Sequence, residues 1–202
     1  MKLNEIENHL AAYTVGIAGA GGLGSNCAVA LARSGIGRLI IADHDTVDVD
    51  NLNRQYYFTD QVGMKKTRAL RDNIRRIKPE IRIDIYDTEL NESNIPIIFR
   101  DCDIIVEALD LDTMKKMLAE TVLSKLSERP LIIGSGLAGY GKTNKLRERI
   151  IDKTLIVCGD EESETSEELP AMAPRTAIVA NMQANAVVEI LMKRKDYENN
   201  AK

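Results

Sequence analysis

The 202-residue sequence predicts an α/β chain: a mainly parallel sheet covered by helices, with late antiparallel strands and a C-terminal helix. Two observations predict it. Short apolar runs alternate with stretches of helical periodicity, as expected for strands buried on both faces. The stretch TVGIAGAGGLGSN, at positions 14–26, leads an apolar strand into a helix through G-x-G-x-x-G, formed by Gly19, Gly21 and Gly24. That turn belongs to a Rossmann-like nucleotide-binding unit.

In chain order, Thr14–Ala18 is the first strand, and Gly22–Ser34 is a helix stopped by Gly35, whose missing Cβ suits a left-handed cap. Arg38–Ala42 is the second strand and Ile81–Tyr86 the third, with a helix over Val62–Lys78 between them that ends before Pro79. Asp103–Glu107 and Pro130–Gly134 are further strands on either side of a helix at Leu111–Leu126. Asn144–Ile151 and Lys153–Val157 are late strands, read as an antiparallel pair. The acidic run DEESETSEE follows, and a long helix then starts at Pro174, a residue suited to the first helical position, and runs to about Lys195.

The chain is expected to form one domain over 1–202, with a flexible acidic crossover loop at about 159–173. Its 27 basic and 31 acidic residues give a formal net charge of −4, against bulk nucleic-acid binding. Cys27, Cys102 and Cys158 are widely spaced and form no C-x-x-C pair, so neither a disulfide framework nor a zinc site is expected. No apolar run has the length of a signal core or a membrane span, so the expected setting is the cytoplasm, away from membranes.

The glycine loop carries the first chemistry. Gly19 permits the tight turn, Gly21 lets backbone approach phosphate, Gly22 opens the helix, and Gly24 lets helix and strand pack closely. The helix N-terminus supplies unpaired N–H groups and partial positive charge. Asp43, at the end of the second strand, can accept from ribose hydroxyls, which suits ATP and NAD alike. The connection His44–Phe58 then gathers Asn51, Asn53, Arg54 and Gln55, where the planar guanidinium of Arg54 suits oxygens on phosphorus. Lys66, Leu70, Ile74 and Ile77 fall on one helical stripe, which puts Lys66 on the core side in need of a partner such as a polyphosphate. Asp110 lies just past the fourth strand, where it is read either as a magnesium ligand or as a helix cap competing with Asp112.

GLAGYGKT, at 136–143, matches G-x-x-x-x-G-K-[ST], but no helix-length apolar stripe follows it, so it is read as a turn at the sheet edge. On residues alone three readings stand: an enzyme that attacks the α-phosphate of ATP, an NAD-dependent oxidoreductase, and a nucleotide-binding partner protein without catalysis. The second lacks an evidently placed His or Tyr–Lys pair, since His9 and His44 are the only histidines.

GAGGLGSN, DHDTVDVDNLNRQ, VGMKKTRAL and the Asp after the fourth strand, in that order, resemble the ThiF/MoeB/HesA proteins, relatives of the ubiquitin-activating enzymes. The resemblance covers about Thr14 to Met192, and GSGLAGYG with APRTAIVANMQAN looks most like the short ThiF-like proteins linked to thiamine biosynthesis. It implies an adenylyltransferase that uses ATP and Mg²⁺ on the C-terminal carboxylate of a ubiquitin-like sulfur carrier ending in Gly-Gly, and a homodimer. Carried over by motif, the glycine loop and Asp43 would hold adenosine, while Asn51, Arg54 and Gln55 would meet the phosphates and reacting centre. Lys66 would meet the phosphates and Asp110 the magnesium, which favours that reading of Asp110. The sequence departs from the family in four places: no zinc-binding C-x-x-C pairs, no arginine before Arg33, Leu111 where an Asn usually follows the metal-binding Asp, and only Cys158 near the family's crossover cysteine. A buried structural thiol is the competing reading of Cys158.

Overall fold

A computed structural model of the chain describes residues 2–200, with side chains up to Lys193. The elements run α1 (Leu3–Leu10), β1 (Thr14–Ala18), α2 (Gly22–Ser34), β2 (Arg38–Asp43), α3 (Lys66–Arg75), β3 (Arg82–Asp87) and α4 (Ile95–Ile98). After these come β4 (Ile104–Glu107), α5 (Asp112–Lys125), β5 (Leu131–Gly134), β6 (Arg147–Ile150), β7 (Leu155–Gly159) and α6 (Ala173–Asn200). The strands form one seven-stranded sheet in the order β3-β2-β1-β4-β5-β7-β6, in which only β6 runs antiparallel.

Strand alternation divides the apolar residues between two layers of helix. Val15, Ile17, Leu39, Ile41, Ile104 and Val106 pack with residues of α2, α3 and α6 on one face. Ala18, Ile40, Ala42 and Ile105 pack on the other with Ile95, Ile98 and Phe99 around α4 and with Leu118 and Val122 of α5. Each core strand is covered on both sides, which is why these segments read as continuous apolar runs. The chain lays β1, β2 and β3 outward to one edge and then crosses back to put β4 on the other side of β1. The reversal opens a crevice at the carboxyl ends of β1 and β4, where such sheets bind ligands.

Most strands and α2 lie within a residue or two of their expected bounds. The helix expected over Val62–Lys78 is shorter, beginning at Lys66. Gly63 adopts a left-handed φ of +86°, and its N–H donates to the Val47 carbonyl at 2.9 Å, so the segment before Lys66 is a folded connection rather than a helical turn. Helices α1 and α4 were not foreseen. In α1 the apolar residues Leu3, Ile6 and Leu10 fall at i, i+3 and i+7, a stripe over only two turns, and its placement depends on packing against α6. Four residues of α4 are too few for a period to register. Among the described residues no helix is long and apolar enough to cross a membrane.

Candidate functional site

The glycine loop leaves the carboxyl end of β1 at the crevice. A Cβ on Gly24 would lie 1.9 Å from the Gly19 carbonyl oxygen, so only glycine lets α2 start this close to the turn. Gly19 itself has φ +98°, and a Cβ there would lie 2.6 Å from the Ala108 oxygen. Gly21 differs: the nearest atom to a Cβ would be Gln55 Nε2 at 3.8 Å, which leaves room in front of the helix N-terminus for a phosphate. Asp43 is fixed beside this loop, its Oδ2 accepting from the Ala20 amide at 2.6 Å and its Oδ1 from the Asp45 amide at 2.7 Å. A carboxylate has about four lone-pair positions, so acceptor capacity remains for ribose hydroxyls. The two glycines predict opposite phenotypes. Gly24→Ala is expected to lose about 3 kcal/mol of stability in urea titration, because its clash is with backbone. Gly21→Ala is expected to unfold normally but bind ATP more weakly by equilibrium dialysis.

The connection after β2 is tied to α2 by side chains that sequence reasoning did not single out. Asn26 Nδ2 donates to the carbonyls of Gly22, at 2.7 Å, and Arg54, at 2.9 Å. Ser25 Oγ accepts from the Tyr56 amide at 2.9 Å, and Tyr57 OH donates to the Ala20 carbonyl at 2.6 Å. Burial, joined by the charges of Asp43 and Asp45, pushes the Tyr57 hydroxyl well above its ordinary pKa, so it stays a donor. These ties lay the stem of Arg54 over the glycine loop: a Cβ on Gly22 would lie 3.6 Å from Arg54 Cγ. The guanidinium is steadied by Asn53 Oδ1 at 2.7 Å and the Asp50 carbonyl at 3.1 Å. Gln55 is buried next to Gly21, and its Oε1 has no hydrogen-bond partner among the described residues. Asn51 instead closes the local turn, its Oδ1 accepting from the Asp48 amide at 3.2 Å. Asn53 faces the far side of the cleft, where its Nδ2 meets the Ala171 carbonyl at 3.5 Å.

Lys66 is buried at the start of α3, and Leu70 and Ile74 below it are fully buried, as the stripe required. Its partner in this structure is the Asp45 carboxylate, with Nζ 2.7 Å from Oδ2. Burial pushes the Asp45 carboxyl up, but the hydrogen bond and charge of Lys66, with His44 and Lys65, outweigh it and hold it below the usual range. Asp43, His44 and Asp45 could each offer a ligand atom within 4.8 Å of the others. Both oxygens of Asp43 already accept amides, and Asp45 is held by Lys66. Asp110 stands apart from that cluster. It is exposed past β4 and is not the cap of α5, whose N-cap is Leu111 without a side-chain bond. The turn that carries it is anchored by Glu107, fully buried, which accepts from the Leu109 amide at 2.6 Å and from Lys115 Nζ at 2.7 Å. An exposed carboxylate just past the carboxyl end of a central strand is the hard oxygen donor that a magnesium ion takes.

The GLAGYGKT stretch is no phosphate loop. Lys142 sits in a left-handed conformation and Thr143–Lys145 forms one short turn before β6, so no helix N-terminus faces it. Lys142→Ala is accordingly expected to leave ATP affinity within about twofold of wild type, where loss of a phosphate-loop lysine would weaken it strongly. The stretch instead braces the segment after β7: the Gly139 amide donates to the Pro170 carbonyl at 2.9 Å, and the Gly141 carbonyl accepts from Arg175 Nη1 at 2.8 Å. Cys158 lies inside β7, fully buried, and burial pushes its thiol up to about 12, so it is packed rather than poised as a thiolate.

A family profile described as ThiF matches residues 4–202. The chain belongs to the ThiF family. Curated relatives of this ThiF chain include the "Adenylyltransferase and sulfurtransferase MOCS3" of Caenorhabditis briggsae, 35% identical over 62% of the chain and 31% of that protein. The protein of the same name from Arabidopsis thaliana is 34% identical over 68% of the chain and 30% of its own length. The ThiF chain thus spans about a third of the length of the curated relatives it matches. In fold it is similar to E. coli tRNA N6-threonylcarbamoyladenosine dehydratase, solved with AMP, at a TM-score of 0.86, 21% identity, and coverage of 95% and 91% of the two chains.

Proposed function

We propose that this ThiF-family chain is an ATP-dependent adenylyltransferase that activates the C-terminal glycine carboxylate of a ubiquitin-like sulfur carrier, of the ThiS type ending in Gly-Gly. The observation that carries the reading is Arg54 laid across Gly22 at the N-terminus of α2, beside the open space at Gly21. This joins a phosphate cradle to a planar cation where a dehydrogenase would need room for nicotinamide. The names of its curated relatives support the same chemistry.

In this reading the glycine loop and Asp43 orient adenosine and its phosphates. The carrier carboxylate attacks the α-phosphorus, the bond from that phosphorus to the oxygen shared with the β-phosphate breaks, and an acyl-adenylate and pyrophosphate result. Arg54 stabilises the negative charge that grows on the α-phosphate oxygens. Lys66, freed from Asp45 or shared with it, meets the polyphosphate, while Gln55 Oε1 accepts a donor from the ligand or its water. Magnesium held by Asp110 would offset charge on the departing pyrophosphate. Asn51 and Asn53 shape the connection that carries Arg54.

The test is ATP–pyrophosphate exchange with and without a ThiS-like carrier ending in Gly-Gly. Exchange that depends on the carrier and on its terminal glycine is the expected result. ATP binding with no exchange for any such carrier overturns the reading in favour of a nucleotide-binding partner protein, and NAD binding without exchange overturns it in favour of an oxidoreductase.

A further inference from the structure

Arg175 lies on the core-facing stripe of α6, followed at four-residue steps by the buried residues Val179, Gln183 and Val187. It is 2% exposed, and its guanidinium joins three separate stretches of chain. Nη1 donates to the Gly141 carbonyl at 2.8 Å and Nη2 to Asp160 Oδ2 at 2.6 Å, while Nε has no partner among the described residues. The other carboxylate oxygen of Asp160 accepts from the amides of Glu162, at 3.0 Å, and Ser163, at 2.8 Å, and from the Ser163 hydroxyl at 2.9 Å. One fork therefore closes the start of α6, the glycine-rich turn and the first residues of the acidic crossover onto each other.

What the fork holds borders the reaction site. The crossover returns past Ala171, which meets Asn53, and the residue after Arg175, Thr176, faces the glycine loop, where a Cβ on Gly22 would lie 2.9 Å from Thr176 Cγ2. At the near end, Glu161 is held in a left-handed conformation, φ +59°, with its carboxylate on Arg149. Between these anchors Glu164, Glu167 and Glu168 are exposed and carry no ion pair among the described residues. A buried ion pair is a poor way to add stability, because apolar side chains of similar volume often do as well. In some systems such a pair instead specifies one arrangement of the chain, here the one in which Nη1 meets Gly141 and Nη2 meets Asp160.

We infer that Arg175 is a positioning residue for the carboxylate substrate: it latches the crossover against Asn53 and the glycine loop without itself meeting the nucleotide. The inference rests on the adenylation reading for its kinetic consequence but not for its geometry. Breaking the fork frees the span from Glu161 to Met172 while the glycine loop, Asp43 and Lys66 keep their own contacts, so acceptor use and ATP binding separate.

The test compares wild type with Arg175→Lys, which keeps a cation for Asp160 but cannot reach Gly141 as well, and with Arg175→Met, which can fail to fold. The full chain saturated with MgATP is followed by hydrogen–deuterium exchange. For Arg175→Lys, amides of Gly139, Glu162 and Ser163 are expected to exchange at least tenfold faster, with β1, the glycine loop and the ATP Kd within twofold of wild type. Unchanged protection overturns the latch. Loss of protection that spreads through β7 and α6, with ATP binding weakened in step, overturns it in favour of a purely structural pair. In the exchange assay, the carrier KM is expected to rise at least tenfold with the ATP KM within twofold, and an equal rise in both overturns the positioning role. If the wild type supports no carrier-dependent exchange, the adenylation reading fails, and the hydrogen-exchange comparison still decides the latch.

Discussion

Replacing Arg54 with alanine is expected to slow carrier-dependent ATP–pyrophosphate exchange by about two to three orders of magnitude, the loss typical of one preorganised donor at a developing charge. ATP affinity should fall far less, because the glycine loop, Asp43 and Lys66 still grip the nucleotide. The guanidinium is held before any ligand arrives, by Asn53 Oδ1 and the Asp50 carbonyl, so little reorganisation is needed at the moment of reaction. Arg54→Lys should recover little of the loss, since an ammonium keeps the charge but not the planar fork. Exchange kinetics at saturating ATP, set beside a direct binding measurement, check this. Full activity in Arg54→Ala would sink the assignment of that residue.

The second large effect concerns the pair beneath the crossover. Arg175→Met leaves the Asp160 carboxylate buried without its cation and should cost about 3–5 kcal/mol in denaturant titration. The same pair sets an acid dependence. Burial pushes the Asp160 carboxyl up, but the bonds from Ser163, Glu162 and Arg175 outweigh it and hold it from 3.8 down to about 2. A carboxyl held low in the folded state stabilises above its unfolded value, and that stabilisation is lost as the pH falls through the folded one. Asp160 therefore contributes about 2 kcal/mol at neutral pH, lost between about pH 4 and pH 2. Wild-type stability measured across that window should show the decline, and Asp160→Asn should flatten it.

The proposed nucleotide end of the candidate site was legible because local geometry demands its residues. Gly19 and Gly24 stand where a Cβ meets backbone, and Lys66 interrupts an apolar stripe, so each leaves a mark in a single stretch of sequence. The partners of these residues were not legible. Nothing local links Lys66 to Asp45, Asn26 to the Arg54 carbonyl, or Tyr57 to Ala20, since each bond spans more than 20 residues and forms only where the connection after β2 folds back on itself and onto α2. Arg175 carried the same signal as Lys66, a charge on a buried helical stripe, and it could have been found that way. The phosphate-loop pattern at Gly136–Thr143 misled by letter and was corrected by what followed it, a single short turn and a strand in place of a helix.

Sequence alone determined the parallel sheet, the glycine turn and the candidate reacting residues, because apolar periodicity and the steric freedom of glycine act over a few neighbouring positions. Tertiary structure alone decided that Asp110 is exposed and does not cap α5, that Cys158 is packed inside a strand, and that the acidic crossover is fastened at Asp160. Those outcomes depend on which distant segments share a boundary, and a buried charge or thiol takes its character from neighbours that the linear order does not name.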